Sequence, residues 1–219
     1  MIKLAAFDLD GTLLDTINDL LDSINDVAIK HGYKIINKDY FYSCIGNGQK
    51  FLINKAFNGI KESEYDQFLQ EYLDSYESRL YSKTISFDGI KELLTKLNNI
   101  NIKIGVLSNK KDNQVKSLIK HYFPEFDFEF VCGAECGNPL KPDKNAILNC
   151  LDGIHMIPSE TIMIGDSFQD ALTANNANII SAAVLWGYQS EEYIKQYSKP
   201  DYFVKNCDEL FNLILSLNK

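Results

Sequence analysis

The stretch KLAAFDLDGTL, residues 3–13, decides the fold of this 219-residue chain. Residues 3–7 form a short apolar run without helical periodicity, which is typical of a buried strand in a parallel sheet. Asp8 and Asp10 follow this run at once, and Gly11 then allows the backbone to turn sharply. Crowded carboxylates repel one another unless a cation compensates them, so a strand that ends in two of them indicates a functional site.

Further apolar runs repeat this pattern along the chain. The predicted strands are residues 102–107, 161–164 and 179–184, with shorter candidates at 128–132 and 202–204. Helix-like stretches accompany them at residues 88–98, 111–121, 141–151, 168–176 and 206–217. Strands that alternate with helices indicate βαβ units, so we predict an α/β fold with a Rossmann-like parallel sheet.

One long segment interrupts the alternation. Residues 15–82 contain no convincing strand, and their apolar residues follow helical spacing, as at Ile17, Leu20, Leu21 and Ile24. We therefore predict a helical-bundle cap domain over residues 15–82, inserted into an α/β core of residues 1–14 and 83–219.

Composition limits the possible partners. The formal net charge of −8 argues against nucleic acid, because phosphate backbones attract basic surfaces. No apolar stretch approaches the length of a membrane span, and the five cysteines show no disulfide or zinc pattern, so we expect them to be reduced thiols. We predict a cytoplasmic enzyme, a monomer or a homodimer, without nucleic-acid or membrane partners.

Polar residues follow the predicted strands where the carboxyl ends of a parallel sheet bind ligands. Ser108 and Asn109 come after the second strand, Asp166 and Asp170 after the third, and Lys141 lies in a loop before a helix. Carboxylates near one another favour a hard cation such as Mg2+, which also binds phosphate oxygens. A free carboxylate could attack phosphorus, another could transfer protons, and a lysine and a hydroxyl could stabilise negative charge.

These residues together resemble the motifs of the haloacid dehalogenase-like (HAD) hydrolases. The stretch FDLDGTL resembles the first motif, Leu107-Ser108-Asn109 the second, Lys141-Pro142 the third, and residues 165–170 the fourth, in the family's order. The resemblance implies Asp8 as nucleophile and metal ligand, and Asp10 as acid/base whose backbone carbonyl also binds the metal. It implies phosphate contacts from Ser108, Lys141 and the backbone near Gly11, Thr12 and Asn109. Asp166 would complete the Mg2+ ligands, with Asp170 as a further ligand or as support through water.

The predicted cap carries the substrate signal. The segment Gly46-Asn47-Gly48-Gln49-Lys50 resembles the cap of phosphoglycolate phosphatases, and Trp186-Gly187-Tyr188 resembles a segment of the same subgroup. Two glycines would let backbone amides approach a small anion, with Lys50 as counter-charge. We therefore predict a Mg2+-dependent phosphatase for a small ester such as 2-phosphoglycolate.

Alternatives within the family are an inorganic pyrophosphatase, a nucleotidase and a sugar phosphatase. A β-phosphoglucomutase is disfavoured because residues 16–20 hold no cap histidine, and a dehalogenase because Asp10 is present. An alternative from another class is a phospho-accepting regulatory protein. Such a protein would keep Asp8 but would not hydrolyse its phosphorylated form, so it would not need Asp10.

Overall fold

The chain is described by a computed structural model over residues 1–134 and 137–219. The described residues form two compact units, one of Met1–Asp15 with Ser86–Lys219 and one of Thr16–Ile85. The second unit has the bounds 16 and 85, whereas the sequence predicts an insert over residues 15–82. No helix of the described residues is both long and apolar enough to cross a bilayer.

The first unit is built on a parallel sheet. The strands are β1 (Leu4–Phe7), β2 (Leu14–Asp15), β3 (Ile85–Ser86), β4 (Lys103–Lys111), β5 (Val131–Ala134), β6 (Thr161–Gly165), β7 (Ile180–Val184) and β8 (Tyr202–Val204). The described part of the main sheet has the order β5-β4-β1-β6-β7-β8, while β2 pairs with β3. The neighbours in the main sheet are parallel, so the predicted α/β fold is confirmed.

Strand β1 lies at the centre of this sheet, between β4 and β6, and its residues are fully buried. In the register of the sheet, Phe7 lies beside Val106 on one side and beside Ile164 on the other. The chain goes outward from β1 to β4 and β5 in one direction and to β6, β7 and β8 in the other. Ligands of open α/β sheets bind at such a change of direction, at the carboxyl ends of the strands.

The helices fall between the strands and in the second unit. They are α1 (Ile17–Lys30), α2 (Lys38–Tyr42), α3 (Gly48–Ala56), α4 (Glu62–Ser78), α5 (Ile90–Asn99), α6 (Asp112–Tyr122), α7 (Asn145–Gly153), α8 (Phe168–Ala177), α9 (Glu191–Tyr197) and α10 (Cys207–Leu217). The sequence did not predict α2, α9, β2 or β3, because these elements are too short to show a period. Asn37 and Ser190 cap α2 and α9 by accepting from backbone N–H groups inside each helix.

The second unit is helical and has an aromatic core. The rings of Phe57 and Phe68 meet edge to face at 4.9 Å between centroids, and Tyr33 packs edge-on against both. His31, at the C-terminus of α1, stacks on the ring of Phe68, and its Nε2 lies 2.7 Å from Glu71 Oε2. Aromatic pairs of this kind stabilise a small core beyond the area they bury.

Two predicted boundaries were wrong near the functional motifs. Strand β4 continues through Ser108 and Asn109 to Lys111, whereas the sequence had placed both residues after the strand. The register to β5 shifts between Leu107 and Lys111, so residues 108–110 form an irregular stretch inside the strand. Helix α7 begins at Asn145 instead of residue 141.

Cys44, Cys132, Cys150 and Cys207 are free thiols. Cys136 lies outside the described residues.

Candidate active site

Asp8 is fixed at the end of β1. Its backbone N–H donates to Ile164 O at 2.8 Å, which continues the pairing of β1 with β6 for one more residue. The turn that follows is closed by a bond from Gly11 N to Leu14 O at 2.9 Å, with Gly11 at φ +87°. Asp8, the nucleophile predicted from the sequence, lies at the carboxyl end of β1, and its side chain is 11% exposed. It is therefore largely shielded from water.

Lys141 links two carboxylates. Its Nζ lies 2.8 Å from Asp8 Oδ1 and 2.6 Å from Asp170 Oδ1, and its side chain is buried. The side-chain amide of Asn109 holds the Lys141 backbone, because Lys141 N donates to Oδ1 at 2.8 Å and Nδ2 donates to Lys141 O at 2.9 Å. Asn109 therefore fixes the position from which Lys141 reaches Asp8. The sequence had implied only the Asn109 backbone.

Asp166 directly follows β6 and is enclosed by two other loops. Its Oδ2 accepts from Tyr188 N at 2.7 Å, and Thr12 Oγ1 lies 3.4 Å from its Oδ1. A Cβ on Gly187 would lie 2.2 Å from the Asp166 Cβ, and a Cβ on Gly11 would lie 2.3 Å from Asp166 Oδ2. Both glycines are thus needed for the carboxylate to occupy this position.

The segment Trp186-Gly187-Tyr188 packs against Asp166. Besides the Tyr188 amide, Trp186 contributes its indole, whose Nε1 donates to Thr12 O at 3.0 Å. This bond ties the segment after β7 to the loop after β1. The sequence showed the segment only as a subgroup resemblance and did not predict that it contacts Asp166.

Both carboxylate oxygens of Asp170 accept hydrogen bonds from neighbouring side chains or backbone. It lies in the first turn of α8, and its Oδ2 accepts from Ser167 N at 3.1 Å and from Ser167 Oγ at 2.5 Å. Its Oδ1 accepts from Lys141. Since both oxygens already have donors, Asp170 is better placed to orient Lys141 than to bind a cation directly.

Asp8, Asp166 and Asp170, which we call the acidic cluster, bring one carboxylate oxygen each to within 4.8 Å of one another. Burial raises the pKa of Asp8 to about 7; Lys141 opposes this and Asp170 adds to it. Burial, with the charges of Asp8 and Asp170, raises the pKa of Asp166 well above its usual range. Burial alone would lower the pKa of Lys141, but Asp170 and Asp8 raise it above the ordinary value. The cluster therefore favours an additional positive charge.

Asp10 has a cationic partner that the sequence analysis missed. Lys110 Nζ lies 3.1 Å from Asp10 Oδ1 and 3.2 Å from Oδ2. The side chain of Lys110 is 5% exposed and that of Asp10 is 21% exposed. The sequence contained one usable signal, a lysine two residues after Ser108.

Other predicted residues lie as follows. Ser108 is buried in the irregular part of β4, where its Oγ accepts from Lys110 N at 3.3 Å. Thr12 is fully buried beside Asp166. Gly46, Asn47, Gly48 and Lys50 belong to the second unit, where Asn47 precedes α3 and both glycines have positive φ. Their contribution to substrate binding stays a prediction.

One protein family matches most of this chain. A family model described as haloacid dehalogenase-like hydrolase matches residues 5–184. The chain belongs to the haloacid dehalogenase-like hydrolases. This confirms the resemblance on which the motif roles depend.

Individual relatives of this haloacid dehalogenase-like hydrolase are phosphoglycolate phosphatases. The enzyme of Caulobacter vibrioides is 30% identical over 190 residues, which cover 85% of this chain and 80% of the relative. The enzyme of Psychrobacter arcticus is 28% identical over 209 residues, which cover 92% and 91%. A crystal structure from Lactobacillus delbrueckii, provisionally described as a phosphoglycolate phosphatase, superposes with a TM-score of 0.89 at 26% identity and covers 97% of this chain and 98% of that chain.

The donor set of this haloacid dehalogenase-like hydrolase fits Mg2+. Mg2+ prefers carboxylate oxygens, and the acidic cluster presents three carboxylates against the ammonium of Lys141. Asp166 and Asp8 are the residues that would hold the ion, with the backbone carbonyl of Asp10, as the family resemblance implies. A bound Mg2+ would supply charge compensation for these carboxylates and for phosphate oxygens.

We expect Mg2+ to raise the Tm by roughly 5–10 °C at about pH 8, when free Mg2+ is about 100 times its Kd. At about pH 5 the same Mg2+ concentration should raise the Tm by less. The folded-state pKa of Asp8, about 7, lies above its ordinary value of 3.8. Protonated Asp8 therefore stabilises the folded state. This contribution is fully present below the ordinary pKa of 3.8 and is lost as the pH rises through about 7. Protons also compete with Mg2+ for these oxygens at low pH. Thermal unfolding with Mg2+ or EDTA at both pH values measures the difference.

Asp166→Asn provides the control for this prediction. It removes a carboxylate of the acidic cluster and should reduce the Mg2+ effect on Tm at both pH values. An effect of equal size at low and high pH in the unmodified protein would contradict the prediction.

Proposed function

We propose that this hydrolase is a Mg2+-dependent phosphatase that acts on a small phosphate monoester of the 2-phosphoglycolate type through an aspartyl-phosphate on Asp8. The observation that carries the proposal is the contact of Lys141 Nζ with Asp8 Oδ1 at 2.8 Å, next to the oxygens of Asp166 and Asp170. A carboxylate held by a lysine inside such a cluster is suited to approach a phosphate once a cation offsets the charge. The names of the relatives support the substrate class.

The first half-reaction transfers the phosphoryl group to the protein. A carboxylate oxygen of Asp8 forms a bond to phosphorus, and the bond from phosphorus to the ester oxygen breaks. The departing alcohol takes a proton from Asp10. Lys141 keeps Asp8 in line for attack, and the Ser108 hydroxyl donates to a phosphate oxygen.

The second half-reaction regenerates the protein. Water attacks the phosphorus of the aspartyl-phosphate and gives a proton to Asp10, and the bond between phosphorus and the Asp8 oxygen breaks. Phosphate leaves, and both carboxylates return to their starting states. Asp10 therefore separates a phosphatase from a phospho-accepting regulatory protein, which would retain the phosphoryl group.

A substrate panel tests the proposal. We expect turnover with Mg2+, loss of activity with EDTA, and a kcat/KM for 2-phosphoglycolate about 10-fold or more above that for pyrophosphate, nucleoside monophosphates or sugar phosphates, a difference of about 1.4 kcal/mol in transition-state binding. A preference for pyrophosphate or a nucleotide would overturn the substrate class and leave the chemistry in place. No turnover of any ester would overturn the enzyme proposal.

We also propose a location, an oligomeric state and a substrate-binding segment for this protein. A cytoplasmic location and a monomeric or homodimeric state are consistent with the composition. A role for Gly46 to Lys50 in substrate choice is supported by the resemblance of that segment to phosphoglycolate phosphatases.

A further inference from the structure

The contact between Lys110 and Asp10 joins a buried cation to the proposed acid/base. The ammonium lies almost equally far from the two carboxylate oxygens, at 3.1 and 3.2 Å. A cation centred on a carboxylate restricts the rotation of that group more than a bond to a single oxygen would. The orientation of Asp10 is therefore set partly by a residue 100 positions away in the sequence.

Burial makes a purely structural role for this lysine costly. The side chain of Lys110 is 5% exposed, and removing an ammonium from water is strongly unfavourable unless a partner compensates it. An apolar residue of similar length would fill the same space without that cost. The partner of Lys110 is the carboxylate of Asp10, which in the proposed function gives a proton to the ester oxygen of the substrate.

Local geometry ties this lysine to the phosphate site. Lys110 lies in the irregular stretch of β4, two residues after Ser108, and its backbone N–H contacts Ser108 Oγ at 3.3 Å. The same distortion of the strand therefore places the predicted phosphate contact and the cation that holds Asp10. β4 lies directly beside β1, which ends at the residue before Asp8.

We infer that Lys110 is a positioning residue, which holds the Asp10 carboxylate where it exchanges a proton with the ester oxygen of the substrate. The inference rests on the proposed function, because it assumes the acid/base role of Asp10. Lys110 itself takes no proton in this scheme and forms no bond to the substrate. Its effect should therefore follow the need of the leaving group for a proton.

The experiment compares two esters whose alcohol portions carry no ionised substituent, glycerol 2-phosphate and p-nitrophenyl phosphate. Alkoxide departure needs a proton, whereas p-nitrophenolate leaves readily without one. We expect Lys110→Met to lower kcat/KM by about 10- to 100-fold for glycerol 2-phosphate and by no more than about 3-fold for p-nitrophenyl phosphate, since general acid catalysis contributes about 10²–10⁴. kcat/KM covers the steps up to the first irreversible one, here the departure of the alcohol.

A double-variant series shows whether Lys110 acts through Asp10. Asp10→Asn alone should lower kcat/KM selectively for the alkyl ester, and adding Lys110→Met to it should lower kcat/KM by no more than about 3-fold further. Lys103→Met, which removes an exposed lysine from the same strand, should leave both rates unchanged. Lys110→Gln gives the same comparison of esters if the methionine variant does not fold.

The outcomes separate the inference from the proposed function. Equal losses for the two esters, or fully additive losses in the double variant, would overturn the positioning role of Lys110. If Asp10→Asn itself shows no dependence on the leaving group, the acid/base assignment fails first. Because neither ester carries a carboxylate, a direct contact of Lys110 with a substrate carboxylate cannot produce the expected pattern.

Discussion

Asp8→Asn is expected to abolish hydrolysis, with a loss in kcat of roughly 10⁴-fold or more, as for other enzymes that lose a covalent nucleophile. The amide keeps the size of the side chain but is a poor nucleophile toward phosphorus. Steady-state kinetics with the preferred ester and Mg2+ measure the loss. Retention of activity in Asp8→Asn would show that the nucleophile has been assigned to the wrong residue.

The same substitution should make the metal-free protein more stable at about pH 8, in contrast to its effect on activity. Burial raises the pKa of Asp8 to about 7, so its charged form is unfavourable in the fold. Asn removes that charge from a cluster of three carboxylates, and Lys141 keeps its contact with Asp170 at 2.6 Å. Thermal unfolding in EDTA measures this change. Asp208→Asn, at an exposed carboxylate of α10, should change neither activity nor Tm appreciably.

Lys141→Met is expected to lower kcat/KM by about 10²–10³-fold, the usual effect of losing one group that stabilises transition-state charge. It should also lower the free energy of unfolding in EDTA by about 3–5 kcal/mol, because it leaves buried carboxylates without their cation. The side chain of Lys141 is 3% exposed and contacts both Asp8 and Asp170. Mg2+ should restore part of the stability, since it replaces the missing positive charge, but it should not restore the rate.

Kinetics and denaturant unfolding, each with and without Mg2+, measure the two effects of Lys141→Met. Lys144→Met removes an exposed lysine three positions later and serves as the matched control. Unchanged stability of Lys141→Met in EDTA would show that the acidic cluster does not depend on this ammonium. An unchanged rate would remove Lys141 from the proposed mechanism.

Much of the fold was predictable because its signals are local. The apolar run before Asp8 has the length and composition of a buried strand, and β1 occupies it. The run predicted at 202–204 coincides with β8, although three residues show little periodicity. The shortest elements, such as α2, were missed because five residues hold too few turns to reveal an apolar face.

The site was predictable in its charged residues but not in its contacts. Asp8, Lys141, Asp166 and Asp170 were expected near one another because parallel strands end at the same edge of a sheet, and the structure brings them together. The irregular stretch of β4 was not predictable, since a bulge depends on how two strands pair. The predicted strand therefore ended at residue 107, and Lys110 was not predicted as a partner of Asp10.

The sequence by itself identified Asp8 and Asp10 as candidate functional residues, since a buried strand that ends in two carboxylates has few explanations other than chemistry at that point. The tertiary structure alone decided the contacts of the site: Lys110 with Asp10, Asn109 with the Lys141 backbone, and the Tyr188 amide with Asp166. These contacts join residues 22 to 100 positions apart. Local periodicity reports which face of an element is buried, but the pairing of distant polar groups is set only when the strands and loops pack.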